Sequence, residues 1–191
     1  MHVSKTVGLS AYMGLTLWAC GSYEAPELRE ALLAMAETEL SLQASASQSN
    51  MQESVLFSET VRIRGENTER FQELLETYGW PTPAMVGRDG IEAAWDLTEA
   101  GGIRVQRTAL PLITASEDSG LADSIVAHLT DRVLVSQSKL QLYGTQTQFR
   151  RGRTRLAPFD QADSVQARRI RVGLSPLDQA ILEAAADSSI E

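Results

Sequence analysis

Apolar residues recur at helical spacing along most of the chain. In "PELREALLAMAETELSLQA", Leu28, Ala31, Leu32, Met35, Ala36, Glu39 and Leu42 fall on one side, the three- and four-residue spacing of an amphipathic helix. Pro26 suits the first helical position, where its missing N–H has no partner to lose, and Glu27 and Glu30 sit at the positive end of the dipole. "ASASQSN", residues 44–50, breaks the pattern and reads as a loop or a frayed extension. Residues 51–78 read as one or two further helices, with Asn67 or Thr68 as a cap before the stripe Phe71, Leu74, Leu75 and Tyr78. Gly79 and Pro81 end it. Another helix is expected from about Asp89, and one follows within "IRVQRTALPLITASEDSG", interrupted at Pro111. "LADSIVAHLTD" is expected to be helical, with Leu121, Ile125, Val126 and Leu129 inward. So many short helices predict an irregular array and not a long four-helix bundle.

After Asp131 the apolar period changes from 3.6 to 2. "RVLVSQSKLQLYG" reads as two strands around a Gln137–Ser138 turn, and "TQTQFRRGRTRLAPF" as a third strand, an Arg-Gly turn and a fourth strand. "SVQARRIRVGL" reads as helix. "SPLDQAILEAAAD" is a final helix with Ser175 as cap, Pro176 first and Asp178 third. The expected class is α+β: a mainly helical irregular array with a C-terminal antiparallel β-hairpin or small sheet.

The first strand pair has definite geometric consequences. A turn at Gln137–Ser138 sets Val133, Val135, Leu140 and Leu142 on one face, and Arg132 across from Tyr143 on the other. Asp131 then turns inward. An unpaired buried carboxylate costs several kcal/mol, so it needs donors: the Gln146 amide, the Tyr143 hydroxyl, Arg168 or Arg169.

The N-terminus has a separate pattern. "MHVSK" carries Lys5, and "TVGLSAYMGLTLWAC" is apolar and uncharged. This is the layout of an export signal, too short to span a bilayer. Its end, "LWAC", resembles a lipobox, in which cleavage precedes the cysteine and the thiol is lipidated. Cys20 is the single cysteine of the chain, so an internal disulfide is excluded. The expected organisation is a signal over 1–19, a lipidated tether over 20–24 and one globular domain over 25–187. The protein is expected to be exported and held by its lipid at the cell envelope, on the periplasmic side of a membrane in a Gram-negative host.

Composition narrows the function. The 191 residues carry a formal net charge of -8, which argues against nucleic acid as a partner. Cleavage would remove His2 and leave His128 alone, with no free thiol, which excludes a zinc site of the usual nitrogen and sulfur ligands. No metal and no cofactor is expected. Charge is also unevenly placed: residues 21–77 hold eleven acids and four arginines, whereas residues 139–171 hold Lys139, seven arginines and two acids. The simpler reading is that the two halves attract each other within one domain. The sharper one is an anion-binding hairpin around Arg150, Arg151, Arg153 and Arg155, able to meet anionic lipid headgroups.

Catalytic constellations are thin. His128 and Asp131 share a helical face, with Ser124 or Thr130 as the hydroxyl, but no strained nucleophile elbow is present. Asp96 and Glu99 form a carboxylate pair three apart, more simply read as a solvated helix face.

"YGWP" (78–81), "VG" (86–87), "AAW" (93–95), "LTDR" (129–132), "QLYGTQ" (141–146), "ARR" (167–169) and "GLSPL" (173–177) occur in this order. Together they resemble an uncharacterised bacterial domain family with a helical body and a C-terminal β-hairpin. The resemblance covers about residues 25–185 and implies an architecture but no established activity. It also implies a Gln-His pair after the tryptophan of "AAW", where this chain has Glu99 and Ala100, and an Asp-Gln…Arg pattern in the first helix, where it has Glu39, Leu40 and Gln43.

The reading that follows is a non-catalytic binding module of the envelope. Its ligand is a small molecule or a protein, with Trp80, Trp95, Arg132, Gln141, Tyr143 and Gln146 as the binding residues. The alternative is a hydrolase-like enzyme with Asp131 as base and Arg132 or Gln146 stabilising developing negative charge.

Overall fold

The computed structural model describes residues 23–48, 54–150, 152–160 and 162–178. The fold is α+β, with six helices and one two-stranded antiparallel sheet among the described residues. The helices are α1 (Pro26–Gln48), α2 (Ser54–Tyr78), α3 (Pro83–Ala100), α4 (Gly102–Ala115), α5 (Asp123–Ser136) and α6 (Ala162–Arg171). The strands β1 (Thr147–Arg150) and β2 (Arg153–Leu156) lie between α5 and α6.

The core forms where the predicted stripes meet. Leu28, Leu32, Met35 and Ala36 of α1 join one buried cluster with Phe71, Leu74 and Leu75 of α2, Ile91, Ala94 and Leu97 of α3, Val105 and Ala109 of α4, and Leu129 and Val133 of α5. α1 packs chiefly along α3, and α4 along α5. The start of α1 is tied to α3 by backbone bonds from Glu24 to Ala84 and from Ala25 to Met85, and by the Arg29–Asp89 ion pair.

Several boundaries move. α1 runs on to Gln48, through residues expected to be loose. α2 is continuous across Asn67, whose amide instead donates to the Met35 carbonyl at 3.3 Å. α3 starts at Pro83, capped by Thr82, but Gly87 at φ 74° breaks it before Asp89, where helix was expected. α4 passes through Pro111, which lies on its exposed side.

The first predicted strand pair is wrong, because residues 132–136 continue α5. A short apolar run fits both periods, and Val133 lies one turn after Leu129, so the helix buries both. The supposed hairpin turn is a helix terminus. Ser138 is left-handed at φ 59°, Ser138 N–H donates to Val135 and Lys139 N–H to Leu134. This is the double-bonded stop that usually takes glycine. The expected Arg132–Tyr143 pair therefore does not form, and Arg132 meets Glu99 at 3.2 Å. The second pair is present as β1 and β2, with Thr147 opposite Leu156 and Arg150 opposite Arg153.

The signal, Cys20 and most of the final helix lie outside the described residues; residues 174–178 have no regular structure. No described helix is long and apolar enough to cross a membrane.

Candidate functional site

Asp131 sits in α5 with no solvent exposure. It is paired, but not by the donors expected. Its Oδ1 accepts the Leu142 N–H at 2.7 Å and the Tyr143 N–H at 3.1 Å. Its Oδ2 accepts the Thr145 N–H at 3.0 Å and the Thr145 hydroxyl at 2.9 Å. The carboxylate is thus ringed by the backbone of the Leu142–Thr145 loop. Gly144 is left-handed at φ 66°, and a Cβ there would stand 3.0 Å from Leu177 Cδ1; glycine lets the loop close.

The loop's carbonyls are held from the opposite side by α6. Arg168 Nε donates to the Leu142 carbonyl at 2.7 Å, and Arg169 Nη1 to the Tyr143 carbonyl at 2.7 Å. Partial burial pushes the Arg169 guanidinium below its ordinary value, and the Asp131 charge opposes that shift. Gln141, also fully buried, closes the loop on itself: its Nε2 donates to the Gln146 and Ala157 carbonyls, and its Oε1 accepts the Gln146 N–H at 2.8 Å. "LTD", "QLYGTQ" and "ARR" are therefore three parts of one backbone clamp.

The other expected site residues scatter. Trp80 is buried, its indole N–H donating to the Ser119 carbonyl at 2.9 Å. Arg132 lies at the surface beside Glu99. Gln146 spends its amide on the Thr145 hydroxyl and, at 3.4 Å, the His128 carbonyl. His128 is exposed, and the Thr130 hydroxyl donates to the Val126 carbonyl at 2.7 Å. Glu39 is buried and paired with Arg64 at 3.1 Å, while Leu40 is exposed. No group of three or more metal-binding side chains occurs among the described residues.

Trp95, one of the expected binding residues, lines a cavity. A groove of about 540 Å³ runs between α3 and the start of α5, with Ile91, Trp95, Leu121 and Ile125 as its apolar wall and Arg88, Glu92 and Asp96 at its edge. Three acids lie along this side of α3. Glu92 is paired with Arg88 at 3.1 Å and Glu99 with Arg132. Asp96, between them, meets no base among the described residues. Partial burial, with the charges of Glu99 and Glu92, pushes its carboxyl above the ordinary aspartate range. The sequence marks Trp95 and Asp96 separately; their convergence with Leu121 and Ile125 depends on how α5 packs.

Residues 26–188 match the model of a family described as a family of unknown function, DUF6624. No curated protein and no solved structure matches the chain.

Proposed function

The chain belongs to the DUF6624 family of unknown function, and on that premise we propose that it is a lipid-anchored, non-catalytic module of the cell envelope that binds a small apolar ligand bearing a positive charge. The observation that carries this reading is the groove beside Trp95, at whose edge Asp96 forms no ion pair among the described residues while its neighbours Arg88 and Glu92 neutralise each other. An apolar body would cover Ile91, Leu121 and Ile125, and an ammonium group would meet Asp96 and the indole face. The hydrolase reading has no such support: Asp131 accepts four donors in a closed clamp and has no access to a substrate.

Calorimetric titration with decylammonium, decanoate and decanol tests the groove. Decylammonium is expected to bind and decanoate not. Asp96→Asn should weaken binding by about tenfold or more, because a hydrogen bond to a charged group contributes ~1.5–3 kcal/mol. Binding should also fall on acidification, and at higher pH than an ordinary aspartate would give, since the protonated carboxyl no longer attracts a cation. Equal binding of decanoate, or an unchanged Asp96→Asn, rules the reading out.

The anchor rests on the "LWAC" pattern. Metabolic labelling with palmitate is expected to mark the wild type and leave Cys20→Ala unlabelled. Label in both, or in neither, removes the anchor from the proposal.

A further inference from the structure

We infer that the β1–β2 hairpin is a docking surface for anionic lipid headgroups. The first reason is electrostatic. No ion pair among the described residues joins an acid before residue 78 to a base of residues 139–171. Among the described residues, the acids before residue 78 that form ion pairs do so with arginines of the same segment: Glu39 with Arg64, Glu59 and Glu66 with Arg62, and Glu73 with Arg70. Arg153 and Arg155 are exposed and form no ion pair with a described residue. Residues 139–171 therefore present net positive charge on a chain whose total is -8.

The second reason is the register. Phe149 lies opposite Thr154, and Arg155 opposite Gln148. Side chains alternate across a ribbon, so Phe149 stands on one face while Arg153 and Arg155 share the other. Phe149 is 74% exposed, the most exposed of the large apolar residues described. Arginines at a strand edge guard against strand pairing, but that role gives no reason for an exposed phenyl ring. A lipid surface met end-on, by the tip of the ribbon near the turn, takes groups from both faces: the ring enters the boundary between headgroups and acyl chains, and the guanidinium groups reach phosphate.

The third reason is mechanical. A two-stranded ribbon alone is barely stable in water, yet this one is rooted. Ala157 N–H donates to the Gln146 carbonyl at 2.9 Å, and Gln141 grips both ends of the hairpin from below. The clamp built around Asp131 thus holds a short ribbon out from the helical body. The inference stands apart from the groove and its ligand. In an anchored chain it would supply a second attachment and set the domain's orientation.

The test uses the full chain with Cys20→Ser, so that no acyl chain contributes, and compares variants in that background. Partition is measured by sedimentation with vesicles of phosphatidylcholine, alone or with one part in three of phosphatidylglycerol. The parent is expected to favour the anionic vesicles and to lose that preference at high salt. Arg153→Gln with Arg155→Gln should lower partition roughly 25-fold, at about fivefold per arginine near an anionic surface. Phe149→Ser should also lower it, whereas Phe149→Trp should retain it and shift its fluorescence to the blue on vesicles. Phe149, Arg153 and Arg155 are all exposed, and unchanged melting confirms the fold. Equal partition onto neutral and anionic vesicles overturns the inference, as does a double arginine variant that partitions like the parent. Self-association without vesicles, abolished by the same substitutions, would assign the face to a second copy and likewise overturn it.

Discussion

Asp131→Asn is expected to destabilise the domain by roughly 3–5 kcal/mol, which would lower the melting temperature by about 10 °C or more for a domain of this size. The carboxylate accepts the N–H groups of Leu142, Tyr143 and Thr145 and the Thr145 hydroxyl, in a place without solvent. Asparagine keeps one acceptor oxygen and turns an NH₂ toward N–H donors. The donors on that side lose their partner and meet another donor instead, and each orphaned buried group costs ~1–3 kcal/mol. The loss of charge also removes an attraction for Arg169. Tyr143→Phe is the control: its backbone N–H is in the clamp and its ring is only half-buried. That change should stay within about 0.5 kcal/mol, as substitutions away from such features usually do. Urea unfolding of the two variants beside the wild type decides. An Asp131→Asn protein as stable as the wild type, or more so, would instead mark a strained functional site, since such sites commonly sacrifice stability.

The second large effect is expected at Gln141. Gln141→Leu keeps much of the volume and removes every polar atom of the side chain. The Gln146 carbonyl retains the Ala157 N–H as a donor. The Ala157 carbonyl and the Gln146 N–H lose the Gln141 amide, in a fully buried position. Two orphaned groups predict a loss of about 2–4 kcal/mol. The loss should also be local: amides of β1 and β2 should exchange faster in this variant than the core helices do, because the root of the hairpin opens first. The double variant with Asp131→Asn should cost less than the sum of the two, because both side chains hold the same loop. Strict additivity would show that the two sets of bonds act separately, and the clamp would not be one unit.

Much of the helical body is legible in the sequence, and so is the importance of residues 128–146, but not their geometry. The run "RVLVSQSKL" illustrates the limit. Its apolar residues satisfy a strand period over a few positions, and its helix stop uses Ser138 in a conformation that usually signals glycine. Only the chance to bury Val133 behind Leu129 decides for helix. The inward turn of Asp131 follows from the cost of burying a charge, yet every donor it takes from the loop is local to that loop: backbone N–H groups and one hydroxyl. Backbone donors carry no sequence signature, so side-chain partners are the only ones that can be named in advance.

The sequence by itself determined what depends on local spacing and composition: amphipathic helices, the Arg-Gly hairpin, the lopsided charge and the need to neutralise Asp131. Tertiary structure alone decided what depends on separate elements meeting. It placed α6 arginines on the loop carbonyls, gathered Leu121 and Ile125 beside Trp95, and left Asp96 between two paired glutamates. The physical reason is that periodicity reports which side of an element is apolar, whereas the partner that covers it is chosen by packing across the whole chain.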